Sequence, residues 1–248
     1  MTPVLLKAVV LRTRPYSETS LWVRLYTRSH GKIAGIAKGA RKGADRILAP
    51  LTDVEVKGYP PRNAGDGLWN LARPEVNEDW RALAGQPERM AYAFALLELC
   101  DRTLHEGEPH EALYDALRSA LAALAAKTDA AGAAVLLWFL IRLVDELGYT
   151  VQYELCPRCQ KPLVYPVGPF VADAGGVLCS DCSRGLAAMP QAEWEVLVAL
   201  ASGDTPPELN VAPKVRDVWI ARLAGHLSLH SDRPLHLESL KLLVDHAG

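Results

Sequence analysis

Four cysteines have the residue type and the spacing to bind a metal ion. Cys156 pairs with Cys159 and Cys179 pairs with Cys182 in two Cys-x-x-Cys motifs, which are separated by 19 residues. Such motifs place four thiolates around one Zn²⁺ at about 2.3 Å, and four sulfurs leave no coordination position for water or substrate. The spacing therefore predicts a structural zinc site with these four ligands.

Two disulfides or a redox-active dithiol are the alternatives for these cysteines. Disulfides need an oxidising compartment, and the N-terminal residues show no signal-peptide pattern. A thioredoxin-type motif uses one Cys-x-x-Cys, whereas this chain has two. Cys100 lies in an apolar helical pattern and is expected to be a core side chain. Since no apolar run is long enough for a membrane span, we expect a cytoplasmic protein without a membrane partner.

Positive charge is concentrated near the N-terminus. The whole chain has a net charge of −2, but residues 1–60 contain eleven Lys and Arg against four Asp and Glu, a local balance of +7. Such asymmetry indicates that the basic part meets a polyanion. A solvated basic face without a partner is the alternative.

Alternating hydrophobic residues predict five short strands. We expect them over residues 4–11, 20–26, 32–37, 53–57 and 67–71, with a turn at 14–17. In the second strand the alternation places Trp22, Arg24 and Tyr26 on one face. Five short strands of this kind fit a closed or nearly closed antiparallel barrel of the OB type.

Beyond residue 87 the hydrophobic period changes to that of helices. Helices are expected over about 87–104, 113–124, 131–147, 190–202, 213–230 and 235–246. The predicted fold class is α+β multidomain, with an N-terminal OB-type barrel and a C-terminal helical bundle that carries a four-cysteine, zinc-finger-like insert. The predicted bounds are 1–80 for the barrel, 81–149 and 189–248 for the helical domain, and 150–188 for the insert.

The barrel carries the candidate DNA-binding residues. Barrels of this type bind oligonucleotides through aromatic side chains that stack on bases and cations that follow the phosphates. Residues 38–43, Lys-Gly-Ala-Arg-Lys-Gly, add cations next to glycines but do not form a Walker A motif. The candidates are Arg14, Trp22, Arg24, Tyr26, Lys38, Arg41 and Lys42. For Trp22 and Tyr26 the alternative is packing under a loop or against the helices; for the 38–43 segment it is a solvated loop.

Five short motifs occur in order from one end of the chain to the other. They are LRTRPYSETSL at 11–21, Thr27 with His30-Gly31, AKGAR at 37–41, LVDELGY at 143–149 and GGVLC at 175–179. Together they resemble the RecO family of bacterial DNA repair proteins. The resemblance implies an OB fold, a helical domain and a zinc-finger-like insert, in a nucleoid-associated recombination mediator that binds single- and double-stranded DNA and anneals strands. It also implies RecR, the single-stranded DNA-binding protein and, indirectly, RecA as partners.

An enzyme is not predicted. The seven histidines are scattered, and His226 and His230, four residues apart, lack the glutamate of the zinc protease motif. A zinc deaminase needs an open coordination position, which a four-sulfur site does not offer. The alternative function is a zinc-ribbon transcription or scaffold protein, which would have little affinity for DNA without a specific site.

Overall fold

The structure is a computed structural model that describes residues 2–42, 46–61, 67–126, 131–229, 235 and 237–241. The chain divides into two compact units, Met1–Ala125 with Ser239–Gly248 and Ala126–Glu238. The first unit holds a five-stranded barrel and two helices, and the second holds three helices and the cysteine segment. None of the described helices is long and apolar enough to cross a membrane.

Five strands close into a barrel in the order β1-β2-β3-β5-β4. They are β1 (Val4–Pro15), β2 (Leu21–Thr27), β3 (Gly31–Ala37), β4 (Thr52–Tyr59) and β5 (Trp69–Asp79). Neighbouring strands are antiparallel, except that β3 and β5 pair in parallel over three residues. The predicted five-stranded OB-type barrel is confirmed, and the parallel pair is the one departure from an antiparallel sheet.

The barrel interior is built from the apolar half of each alternating strand. Leu21, Val23 and Leu25 of β2 point into it, together with apolar residues of the other strands. Three strands are clearly longer than predicted: β1 continues through Pro15, β4 spans Thr52–Tyr59, and β5 continues to Asp79. Pro15 is the last residue of β1 and lies opposite Leu21.

The turn between β2 and β3 is held by a buried threonine. The hydroxyl of Thr27 donates to the carbonyl of Gly31 at 2.8 Å and accepts the N–H of His30 at 3.0 Å. Gly31 has a φ of 63°, in the left-handed region that favours glycine. A Cβ at this position would lie 2.1 Å from the carbonyl oxygen of Glu108, so glycine also allows the following segment to approach the turn.

Two helices pack on the barrel in the first unit, α1 (Pro87–Thr103) and α2 (Glu111–Ala126). The buried Asp53 of β4 accepts a hydrogen bond from the Tyr114 hydroxyl at 3.0 Å and forms an ion pair with Arg118 at 2.8 Å. Burial raises the pKa of Asp53, while Arg118 and Tyr114 act in the opposite direction. These side chains fix α2 to the outside of the barrel.

The second unit is organised around a buried helix. It contains α3 (Gly132–Glu146), β6 (Val167–Val171), β7 (Gly176–Cys179), α4 (Gln191–Ser202) and α5 (Pro213–Ser228). Every residue of α3 from Gly132 to Ile141 is buried, as expected for a helix that is apolar on all sides. The helix predicted at 235–246 lies largely outside the described residues, and its described part contains a short 3₁₀ turn, Glu238–Leu240.

The cysteine segment is attached to α5 by aromatic contacts and hydrogen bonds. The Phe170 ring packs edge-on against Trp219 at 5.6 Å between centroids. The two ring nitrogens of the buried His226 lie 2.9 Å from the carbonyl oxygen of Tyr149 and 3.2 Å from that of Ala172. Both ring nitrogens of His226 therefore face backbone oxygens, and its side chain has a structural role.

Candidate nucleic-acid interface and metal centre

Strand register brings several predicted DNA-binding residues to one end of the barrel. Arg14 of β1 lies opposite Trp22 of β2, and Trp22 lies opposite Ile36 of β3. Lys38 follows β3 directly, and its side chain is exposed. Arg14 in β1, Trp22 in β2 and Lys38 directly after β3 therefore lie at the same end of the barrel, although they are distant in sequence.

Trp22 and Tyr26 have different environments, although both lie on the same face of β2. Trp22 is 8% exposed, and the guanidinium groups of Arg14 and Arg24 lie over its ring at 4.4 Å and 5.1 Å from the centroid. Tyr26 is fully buried, and its hydroxyl donates to the carbonyl of His110 at 2.9 Å. The structure therefore favours packing against the helices over base stacking for Tyr26.

Arg24 is engaged by acidic residues of the same unit. It forms ion pairs with Asp101 at 3.1 Å and with Glu106 at 3.3 Å. Its side chain is only 25% exposed. A phosphate group would have to displace these carboxylates to reach Arg24, whose guanidinium also packs on the Trp22 ring.

Arg41 fixes the loop between β1 and β2. Its side chain donates to the carbonyl of Ser17 at 2.9 Å, and its backbone N–H donates to the carbonyl of Thr19 at 3.1 Å. This loop presents Tyr16, which is 60% exposed. The sequence predicts a turn at residues 14–17, and an aromatic residue in a polar turn is the one signal in the sequence for this exposed ring.

The Lys-Gly-Ala-Arg-Lys-Gly segment is described in part. Gly39 has a φ of 71° and turns the chain from β3 into a short 3₁₀ helix, Ala40–Lys42. The Lys42 side chain and Gly43 lie outside the described part of the structure. The exposed residues Arg14, Tyr16, Lys38 and Arg41, with Trp22, are called the barrel-end surface below.

Positive charge is not equally available over the barrel. Arg12, Arg24 and Arg28 each form an ion pair with a carboxylate from residues 101–115. Lys32 is buried, and its ammonium group donates to the carbonyl of Asp101 at 2.6 Å; burial lowers its pKa. Within the described ranges, no carboxylate forms such a pair with the cations of the barrel-end surface. Arg14, Lys38 and Arg41 are therefore open to a polyanion at this end of the barrel, and the exposed Lys7, Lys57 and Arg73 are open at other positions of β1, β4 and β5.

The four predicted metal ligands lie together in the second unit. The Sγ atoms of Cys156, Cys159, Cys179 and Cys182 all lie within 4.8 Å of one another, and they are the one such cluster in the described residues. The Sγ atoms of Cys159 and Cys179 are 3.7 Å apart. A regular tetrahedron with metal–sulfur bonds of about 2.3 Å has sulfurs about 3.8 Å apart. The cluster can therefore hold a metal ion, and its dimensions suit Zn²⁺.

Neighbouring groups have opposite effects on the thiols of Cys156 and Cys182. Desolvation opposes ionisation of Cys156, but backbone N–H groups of Cys179, Cys159 and Arg158 outweigh it and lower its pKa to about 6. Hydrogen bonds with Cys179 and Cys159 raise the pKa of Cys182 to about 12. A divalent cation at the centre would favour the thiolate at each position.

Two family models match the chain. The model "Recombination protein O N terminal" matches residues 1–76, and "Recombination protein O C terminal" matches residues 84–238. Both matches lie in the order that the sequence motifs predict.

Several curated proteins named DNA repair protein RecO are similar along the chain. The protein from Symbiobacterium thermophilum is 30% identical over 232 residues, which covers 92% of this chain and 87% of that protein. The one from Streptomyces griseus is 31% identical over 207 residues, covering 79% and 81%. The one from Moorella thermoacetica is 32% identical over 177 residues, covering 71% of this chain and 65% of the relative, slightly under two thirds of its length.

Proposed function

The chain belongs to the RecO family of DNA repair proteins, and from this premise we propose that it is a recombination mediator. It binds single- and double-stranded DNA, anneals complementary strands and, with RecR, assists the loading of RecA onto strands that carry the single-stranded DNA-binding protein. The family membership supports the role in repair, and the barrel-end surface supports direct contact with DNA.

The observation that carries DNA binding is the open positive charge of the barrel-end surface. Arg14, Lys38 and Arg41 are exposed, and they lie at one end of a barrel type that binds oligonucleotides. Contacts to phosphates are independent of base sequence, because every nucleotide carries the same charge. We therefore propose binding without sequence preference.

Tyr16 is the proposed stacking residue of this surface. Its ring is exposed, whereas Tyr26 is buried and Trp22 is covered by two guanidinium groups. Stacking on an aromatic ring favours unpaired bases, since paired bases already stack on each other. The loop contacts made by Arg41 hold Tyr16 in place before DNA arrives, which lowers the entropic cost of binding.

Annealing on this surface needs no fuel. Cations that neutralise phosphates on two strands reduce the repulsion that keeps complementary strands apart. The sequence has no Walker A motif, in agreement with a protein that acts by binding and positioning strands. We accordingly propose no catalytic residue.

The four cysteines are proposed to hold one structural Zn²⁺. Soft thiolates suit Zn²⁺, and a complete four-sulfur sphere leaves no position for a phosphate oxygen. The metal would fix the Cys156–Cys159 turn to the Cys179–Cys182 turn, and it would not contact DNA.

Charge reversal of Lys38 tests the DNA interface. Lys38→Glu should weaken binding to random-sequence single-stranded oligonucleotides by about tenfold at moderate salt, because an attraction becomes a repulsion. Lys57→Glu is the matched control, since Lys57 is also exposed but lies opposite Leu5, at the other end of β1. Fluorescence anisotropy and a strand-annealing assay measure both effects. Equal losses in the two variants would contradict the proposed location, and no binding by the unmodified protein would favour a scaffold function.

A further inference from the structure

Arg28, at the end of β2, is held by two carboxylates of α2. Its Nη1 lies 2.8 Å from Oε2 of Glu111, and its Nη2 lies 3.0 Å from Oδ2 of Asp115. Its Nε also donates to Oδ1 of Asp115 at 3.2 Å. The guanidinium thus binds the Asp115 carboxylate through two parallel hydrogen bonds, which is the geometry that arginine uses for two oxygens of a phosphate.

The position of Arg28 is fixed by the backbone. Its N–H donates to the carbonyl of Lys7 at 3.0 Å, and it begins the turn that Thr27 holds. On the same strand, Arg24 lies two residues beyond Trp22 and is engaged by Asp101 and Glu106. Arg24 in β2 and Arg28 directly after it are therefore held in place by acidic side chains from residues 101–115.

These ion pairs at Arg28 are exposed to solvent. The side chains of Arg28, Glu111 and Asp115 are 44%, 57% and 52% exposed. Exposed pairs are weak and are screened by salt, so they can open without unfolding of the protein. The phosphate oxygens of a polynucleotide are negatively charged like these carboxylate oxygens, and a guanidinium group binds both in a similar geometry.

We infer that Glu111 and Asp115 act as an intramolecular competitor of polynucleotide phosphates for the Arg28 guanidinium. While both carboxylates bind Arg28, DNA contact is limited to the barrel-end surface. When they move away, Arg28 gains one phosphate contact and the interface extends along β2. The inference rests on the proposed function, because it assumes that the barrel binds polynucleotides.

The test is a set of variants that separates the effect of Arg28 on DNA binding from the effect of net charge. Glu111→Gln with Asp115→Asn keeps the size of both side chains and removes their charge. Glu75→Gln with Glu78→Gln on β5 is the matched control, since it removes the same two charges from exposed positions. Arg28→Ala is made alone and in the Glu111→Gln, Asp115→Asn background. Anisotropy with a labelled random-sequence single-stranded oligonucleotide gives Kd at several salt concentrations, and thermal denaturation checks folding.

The inference predicts a specific pattern of affinities. Relative to the control, the Glu111→Gln, Asp115→Asn variant should bind about threefold to tenfold more tightly, and its log Kd against log salt should steepen by about 0.7, one further phosphate. Arg28→Ala should weaken the binding of the otherwise unmodified protein by less than about twofold, because the carboxylates already engage the guanidinium, and it should abolish the gain in the double variant.

Three outcomes would overturn the inference, and they distinguish its failure from failure of the proposed function. If the unmodified protein binds and the two double variants respond alike, or if Arg28→Ala alone weakens binding by more than about twofold, the carboxylates do not compete with phosphate for Arg28, while the proposed function stands. If the unmodified protein does not bind the oligonucleotide at any salt concentration, the proposed function and the inference fail together.

Discussion

At the residue scale, the aromatic side chains of Tyr16, Trp22 and Tyr26 differ in solvent exposure, and the sequence does not predict this difference. Trp22 and Tyr26 alternate correctly for one strand face, yet Tyr26 is fully buried and Trp22 nearly so. Tyr16, in the neighbouring loop, is 60% exposed. Alternation predicts which face a side chain occupies, but it does not predict that α2 packs on that face.

Tyr16 gives a prediction at this scale. Tyr16→Ala should weaken binding to single-stranded DNA by about 1–3 kcal/mol, the usual contribution of one stacked base. Tyr16→Phe keeps the ring and should bind like the unmodified protein. Anisotropy titrations with single-stranded and duplex oligonucleotides measure both variants, and the loss should be smaller on the duplex. If alanine and phenylalanine behave alike, the ring does not stack on bases.

Charge at the residue scale is likewise set by contacts that lie far apart in sequence. The basic excess of residues 1–60 predicted a polyanion-binding part, but Arg24 and Arg28 have acidic partners 77 to 87 positions away. A count along the chain separates these partners, whereas folding brings them together. The positive charge without an acidic partner is therefore smaller than the count along the sequence suggests.

At the element scale, two glycines in the left-handed region have different surroundings. Gly31 and Gly39 have φ values of 63° and 71°, so a side chain meets similar backbone strain at both. A Cβ at Gly31 would also lie 2.1 Å from the carbonyl oxygen of Glu108, whereas nothing lies within 4 Å of a Cβ at Gly39. A comparison of substitutions at Gly31 and Gly39 therefore separates the effect of backbone strain from the effect of the close approach between the β2–β3 turn and Glu108.

This difference predicts unequal stability losses. Gly39→Ala should reduce the free energy of unfolding by about 1–2 kcal/mol, the usual cost of a left-handed residue with a Cβ. Gly31→Ala should cost about 1–3 kcal/mol more, because the backbone of Glu108 must shift. Urea denaturation measures both. Similar losses would mean that the turn and the segment around Glu108 do not approach each other this closely.

The cysteine turns are the element that the sequence predicts best. Each pair is local in sequence, so a short turn alone places two sulfurs side by side, and only one long-range approach is needed to complete the cluster. By contrast, the length of β5 was underestimated, because its residues beyond Leu71 are mostly exposed and polar and do not alternate.

Removal of a cysteine ligand tests the proposed metal site. Cys159→Ser should lose the zinc and lower the melting temperature by about 5–10 °C, because structural zinc contributes directly to folding. Affinity for single-stranded DNA should fall by less than about threefold, since a closed sulfur sphere offers nothing to phosphate. Cys100→Ala is the control and should retain one zinc per chain, as Cys100 is buried in α1. Elemental analysis and thermal denaturation measure these effects. Equal zinc content in both variants would show that Cys159 is not a ligand.

At the scale of the whole molecule, short sequence patterns are enough to predict the fold class and the family. Period-two strands predicted the barrel, and five short motifs identified the family, which the matches over residues 1–76 and 84–238 confirm. The domain bounds at residues 80, 149 and 188 stay a prediction, as do the partners. The placement of Arg14, Trp22 and Lys38 at one end of the barrel depends on strand register, which a single sequence does not specify.

The salt dependence of binding to random-sequence single-stranded DNA tests the central claim, that open cations of the barrel-end surface hold phosphates. If Arg14, Lys38 and Arg41 each neutralise one phosphate, log affinity should fall linearly with log salt with a slope of about −2, that is, about −0.7 per phosphate. The slope should be the same for oligonucleotides of unrelated sequence. An affinity that does not change with salt, or no binding even in dilute buffer, would contradict the claim.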